Sequence, residues 1–201
     1  GIPIFTFVNK LDRHCKSPLA LMEELEATLG IRAYPMNWPV GVDGDFRGVY
    51  DRRTKRIELF TGGSHGQETT ISDEGDLEDA RFRTILGDYL YDHLLEEIEL
   101  LEIAGDELDM DKVRAGELTP MFFGSAMTNF GVRPFLEAFL EMAPSPTAKR
   151  HSNGSVEPDS EDFSGFIFKI QANMDPAHRD RIAFMRICSG KFEKGMEVIH
   201  Q

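Results

Sequence analysis

Residues 2–8 form a short, nearly unbroken apolar run, Ile-Pro-Ile-Phe-Thr-Phe-Val. Such a run predicts a strand buried on both faces, as in a parallel sheet. Pro3 stands near its start, where a strand tolerates proline. After a polar loop, Ser17 offers a helix N-cap and Pro18 suits the first helical position. Leu21, Met22, Leu25 and Leu29 then share one helical face, and Gly30 supplies the stop. Strand, loop and helix make one α/β unit.

The pattern changes between residues 34 and 116. Pro35, Pro39, Gly41 and Gly44 break the chain, and runs at 46–50 and 56–60 flank a polar turn, predicting a hairpin. Residues 62–66 read as a connector, because no Lys-Ser/Thr pair follows to make a phosphate cradle. Residues 78–104 predict one long helix. Its apolar stripe is Leu90, Leu94, Leu95, Ile98, Leu100 and Leu101, and Glu96, Glu97, Glu99 and Glu102 form a solvated flank. A buried strand returns at 118–124. A helix follows at 131–142, with Val132, Phe135, Leu136 and Phe139 on one side and Pro144 and Pro146 beyond its end. Residues 147–162 are polar and read as a linker. From Phe163 the period becomes two: Phe166, Phe168 and Ile170, then Ile182, Phe184 and Arg186, predict the opening strands of an antiparallel barrel.

Charge narrows the function. The net charge of -13 is the wrong sign for a protein that coats DNA or RNA, where neutralising phosphates supplies most non-specific affinity. The acidic residues concentrate between Glu68 and Asp111, a stretch expected to face water or a basic partner. No apolar run approaches the roughly 20 residues of a membrane-spanning helix. Cys15 and Cys188 form no Cys-x-x-Cys pair and are expected to be reduced thiols. The histidines lack zinc-ligand spacing, so no metal is expected. The chain starts at Gly1 rather than Met, and both its ends are expected to be cuts through a longer protein.

Two short motifs carry chemistry. Asn9-Lys10-Leu11-Asp12 follows the first buried strand, and in open α/β sheets ligands bind beyond the carboxyl ends of strands. A carboxylate is an acceptor-only group with two oxygens. Asp12 therefore suits the paired ring N–H and exocyclic amine of guanine, which adenine lacks. Lys10 can lay its stem over the base, and Asn9 can tie the loop to its neighbours or to the base edge. Gly124-Ser125-Ala126 follows the second buried strand. There the Ala126 N–H can donate to the guanine carbonyl while Ser125 supports the loop. Met127 stands where many small G proteins carry a Lys.

Phe7-Val8-Asn9-Lys10-Leu11-Asp12-Arg13 resembles the guanine-recognition strand of translational GTPases. Trp38-Pro39-Val40-Gly41 and Phe46-Arg47-Gly48-Val49-Tyr50 are similar to the subdomain inserted in elongation factor G and in the release factor 3 branch. The stretch Phe168-Lys169-Ile170-Gln171-Ala172-Asn173-Met174-Asp175-Pro176, continuing through His178-Arg179-Asp180-Arg181, resembles the release factor 3 branch and not elongation factor G.

The resemblance implies an α/β fold: the C-terminal part of a P-loop-type GTPase domain with an inserted α+β subdomain, followed by the first strands of an antiparallel β-barrel. The implied division is 1–35 for the GTPase-domain remnant, 36–116 for the insert and 117–147 for the end of the GTPase domain. A linker at 148–162 and an incomplete barrel at 163–201 follow. The implied ligand is GTP or GDP, with Mg2+ whose ligands are absent from this chain. The implied partners are the ribosome, class I release factors and the ribosomal stalk protein, with no membrane and no DNA, in the bacterial cytoplasm. The implied role is to eject stop-codon-reading release factors after peptide release.

His178, Arg179 and Arg181 become candidate ribosome contacts, the alternative being an ordinary charged turn. No Gly-x-x-x-x-Gly-Lys-Ser/Thr run occurs in the sequence, so this chain alone is not expected to hydrolyse GTP. An elongation-factor-like translocase and a ribosome-binding module without nucleotide chemistry are the competing readings. A sheet missing neighbouring strands would also leave this chain marginally stable, self-associating, or held together mainly by its inserted subdomain.

Overall fold

The computed structural model describes residues 2–42, 44–61, 70–104, 107–151, 154–172 and 181–200. It divides into two compact units, Gly1–Ala143 and Pro144–Gln201. In chain order the first unit contains β1 (Thr6–Val8), α1 (Pro18–Leu29), β2 (Arg32–Pro35), β3 (Asn37–Val40), β4 (Gly48–Asp51), β5 (Arg56–Thr61), β6 (Thr70–Asp76), α2 (Ala80–Leu86), α3 (Asp88–Ala104), α4 (Met110–Ala115), β7 (Leu118–Phe123) and α5 (Val132–Met142).

Three strands make a parallel sheet in the order β1-β7-β2. β7 is central, and all six of its residues are buried. β1 lies at an edge, so its residues are only half-buried, contrary to the both-faces burial that its apolar run predicts. Phe5 and Phe7 nevertheless pack on α5, their rings 5.2 Å from Phe139 and 5.1 Å from Phe135. Leu136, expected on the same face of α5, is half exposed instead. α1 forms as its ends dictate: the Ser17 hydroxyl accepts from the Ala20 N–H, Pro18 opens the helix, and Gly30 closes it with φ 68°.

The insert holds a second, antiparallel sheet in the order β3-β4-β5-β6. β4 and β5 are the predicted hairpin. β3 contains Pro39, which the edge of a sheet tolerates because one row of N–H groups there has no strand to meet. β6 is polar, Thr-Ile-Ser-Asp-Glu-Gly-Asp, and is held to β5 in part by the Arg56–Glu74 ion pair at 3.0 Å. The single helix expected at 78–104 is two, because Gly87 takes φ 80° between α2 and α3. The acidic flank also divides. Glu96, Glu99 and Glu102 are exposed, whereas Glu97 is largely buried and accepts from the Trp38 indole N–H at 2.9 Å. Leu100, expected in the apolar stripe, faces out.

One core joins the two sheets. Trp38, Val40, Ile57, Phe82, Leu94 and Ile98 of the insert pack with Leu11, Met121, Phe123 and Phe130. The second unit contains β8 (Lys149–His151), β9 (Gly154–Val156), β10 (Ser164–Ala172) and β11 (Arg181–Ser189). β8 and β9 form a small antiparallel pair inside the stretch that polarity alone marks as linker. β10 pairs with β11, its register shifting between Ile167 and Lys169.

Candidate functional site

β1 and β7 run parallel in the register Val8↔Phe123, so the turns that follow them start side by side. The Gly124 N–H donates to Val8 O at 3.0 Å, and the Leu11 N–H returns to Gly124 O at 3.3 Å. Leu11 is buried in the common core and anchors the first turn from below. Gly124 is required: a Cβ there would strike Phe130 O and stand 2.7 Å from the Phe7 ring.

Asn9 joins the turns. Its Oδ1 accepts the Lys10 N–H and the Ala126 N–H, each at 2.8 Å. The first bond supports the left-handed backbone of Lys10, φ 72°, an uncommon conformation for a residue with a Cβ. The second changes an expectation. The Ala126 amide, expected to stand ready for a base carbonyl, is already satisfied by Asn9. A further link runs from the Arg13 guanidinium to Met127 Sδ at 3.6 Å. Ser125 is buried: its N–H donates to Phe130 O at 2.9 Å and its Oγ accepts the Thr128 N–H at 3.4 Å. It therefore supports the second turn from inside.

Asp12 lies within the first turn, its side chain 24% exposed. Oδ2 is 4.0 Å from Arg13 Nε. Oδ1 is buried and has no hydrogen-bond partner among the described residues. An unpaired buried carboxylate oxygen is costly, and the described residues supply this one with no donor. Lys10 and Ala126, both held by Asn9, are exposed. The structure thus brings together Asn9, Lys10, Asp12, Ser125 and Ala126. Of the remaining candidates, His178 and Arg179 lie outside the described residues, and Arg181 is an exposed residue at the start of β11.

Sequence reasoning missed Asn37. It is 2% exposed, and its carboxamide makes two bonds to the main chain of Phe123, the residue before Gly124. Oδ1 accepts the Phe123 N–H at 2.7 Å, and Nδ2 donates to Phe123 O at 3.1 Å. Losing the side chain would orphan both groups, at about 1–3 kcal/mol each. The available signal was a lone carboxamide inside Pro-Met-Asn-Trp-Pro-Val, since a buried polar group needs a partner.

Among the described residues no group of three or more His, Cys, Asp or Glu could hold a metal ion, and no helix is long and apolar enough to cross a membrane.

Residues 1–145 match the family model of the elongation factor Tu GTP binding domain, and residues 162–201 match that of elongation factor G domain 2. The chain belongs to the elongation factor Tu GTP-binding family of translational GTPases. Within that class its relatives are named peptide chain release factor 3. The protein of that name from Symbiobacterium thermophilum is 56% identical over 200 residues, covering 100% of this chain and 38% of the relative. Those from Acaryochloris marina and Ligilactobacillus salivarius are 53% and 55% identical, each over 200 residues. They are covered to 37% and 38% of their lengths by 100% and 98% of this chain. A crystal structure of a protein from Thermus thermophilus superposes with a TM-score of 0.61 at 26% identity, over 98% of this chain and 29% of that one. The chain therefore spans less than two fifths of the length of these curated relatives.

Proposed function

We propose that this chain is the guanine-reading part of a GTP hydrolase that recycles stop-codon release factors from the ribosome. One observation carries the base reading: the two motif turns meet at the ends of paired strands, and there Asp12 Oδ1 is buried without a donor among the described residues. The guanine ring N–H and exocyclic amine supply two donors to one carboxylate. The Lys10 stem covers a face of the base, and the base carbonyl shares or takes over the Ala126 N–H that Asn9 holds. Asn9 and Ser125 keep the turns in place. A guanine nucleotide fits this donor and acceptor set; adenine, with no paired donors at that edge, leaves Asp12 unsatisfied.

The names of the relatives support translation termination as the setting. The partners on this reading are the ribosome and class I release factors, in the cytoplasm. Hydrolysis requires a phosphate loop and Mg2+ ligands that no residue of this sequence provides, so the chain alone binds the base without turnover. His178, Arg179 and Arg181 stand as ribosome-facing candidates. The exposed carboxylates Glu96, Glu99 and Glu102 on α3 suit a basic partner, here the ribosomal stalk protein. Reversing these three charges to Lys in the full-length protein lowers stalk-stimulated GTP turnover; unchanged stimulation removes the stalk from the list.

The decisive test of the base reading is Asp12→Asn in the full-length protein, titrated with GDP and xanthosine diphosphate. Losing two charge-assisted hydrogen bonds weakens GDP roughly a hundredfold or more, while xanthosine diphosphate, which presents a carbonyl at that edge, gains. Unaltered GDP affinity rejects Asp12 as the base reader.

A further inference from the structure

The parallel sheet loses a strand just where the second turn begins. β2 ends at Pro35, and the Met36 N–H still donates to Met121 O at 2.8 Å, but the next residue already belongs to β3 of the other sheet. Successive residues of a strand turn their main-chain groups to opposite neighbours. Gly124 serves the β1 side through Val8 O, so the N–H and C=O of Phe123 face the side that β2 has left. Asn37 fills this place with a side chain. A carboxamide has the same donor and acceptor as a peptide group, and here one side chain makes the two bonds to Phe123 that a continued parallel strand would make through two of its residues. Asn37 and Phe123 are both buried, so water is no ready substitute.

We propose that Asn37 is a positioning residue for base recognition, fixing the end of β7 so that Ser125 and Ala126 stand opposite Asn9. The proposal rests on the guanine reading above. Asn37 reaches the site only through Phe123 and the three residues after it. That path is stiff. The Trp38 ring meets Phe123 edge-on at 5.3 Å, and Phe123 O lies 2.8 Å from where a Cβ on Gly131 would stand. A shift of β3 against β7 therefore reaches the Ala126 amide with little slack, and the insert can report to the base through this carboxamide and the ring contact beside it.

The experiment uses the full-length protein, measuring release of a fluorescent N-methylanthraniloyl GDP by stopped flow and the ratio of GDP to ADP affinity. Asn37→Ala accelerates release about tenfold and lowers the GDP:ADP ratio by a similar factor, with one nucleotide still bound per molecule. Asn37→Gln, which keeps the carboxamide, recovers part of both. Asn37→Asp keeps an acceptor for the Phe123 N–H but turns a carboxylate toward Phe123 O, and behaves like Ala. It supplies the reading should the Ala variant not fold. Parental release in either folded variant overturns the proposal, as does faster release at an unchanged GDP:ADP ratio, which is the mark of general loosening. Asp12→Asn measured alongside separates the two ideas. If that change leaves the guanine preference intact, the base reading falls; if it abolishes the preference while the Asn37 variants keep theirs, only the positioning role falls.

Discussion

Compare β7 with β10. One reads Leu-Thr-Pro-Met-Phe-Phe and the other Ser-Gly-Phe-Ile-Phe-Lys-Ile-Gln-Ala, and each carries large apolar side chains. Every residue of β7 is buried, lying between two strands and beneath both α5 and the insert. In β10 no residue is fully buried; Phe168 and Ile170 are 62% and 63% exposed, and among the described residues the strand pairs with β11 alone. Hydrophobic content thus predicts that a strand forms, while burial depends on what the topology sets against its faces. The two motif turns thus follow strands whose packing lies largely within this chain, whereas β10 leaves its apolar side chains open.

Three measurements press on that contrast. The largest effect is expected at Trp38, which is fully buried between the two sheets, with Phe123 and Glu97 as its partners. Trp38→Ala should lower the stability of the first unit by about 3–5 kcal/mol in chemical denaturation. A loss under ~1 kcal/mol would mean that the core joining the sheets is not cooperative.

A smaller effect is expected at Glu58 on β5. Burial, then the nearby carboxylates of Glu74 and Asp51, raise its carboxyl above the ordinary range. A folded-state value above the unfolded one means that the group favours folding below its unfolded value, and that this contribution is lost as pH rises through the folded one. Glu58→Gln should therefore stabilise the protein at neutral pH, by less than about 1 kcal/mol after solvent screening, with the gain shrinking toward pH 4. Equal melting of variant and parent at neutral pH would show that the strain is not there.

The smallest effect belongs to the open strand. Phe168→Ala should change the stability of this chain by no more than ~0.5 kcal/mol, because its ring gives up little buried surface. A loss comparable with that at Trp38 would show that β10 is covered in solution, by self-association for example, which sedimentation would detect.

Local rules made much of the first unit legible. Ser17, Pro18 and Gly30 bound α1 because each acts within a few residues of itself, and the run at 118–123 announces a strand by its own apolar content. The two turns of the site were legible for the same reason: each follows directly from a strand. Their meeting is a matter of topology, since the register Val8↔Phe123 joins residues far apart in the chain. What escaped prediction depends on distant partners. β2 and β3 hide among the prolines Pro35 and Pro39, which are tolerated only because these strands lie at sheet edges. β6 lacks an apolar signature and follows from the hydrogen-bonding edge of β5 and the charge of Arg56. Gly87 resembles any mid-helix glycine until its positive φ is seen. Asn37 is the extreme case: its meaning is the absence of a strand beside Phe123, which a linear reading does not reveal.

The pair of hydrogen bonds that Asn9 Oδ1 accepts makes the two sides of the site unequal. On the Ala126 side the loop is already at rest, so an incoming carbonyl exchanges one acceptor for another with little net gain in free energy. On the Asp12 side a buried oxygen lacks a donor among the described residues, so on the proposed reading the same ligand would relieve an existing deficit. Discrimination on the first side then works by penalty, because an amine in place of the carbonyl would set donor against donor. In nucleotide-free protein, amide hydrogen exchange should record this arrangement directly: the Lys10 and Ala126 amides lie in exposed turns, yet both should exchange slowly.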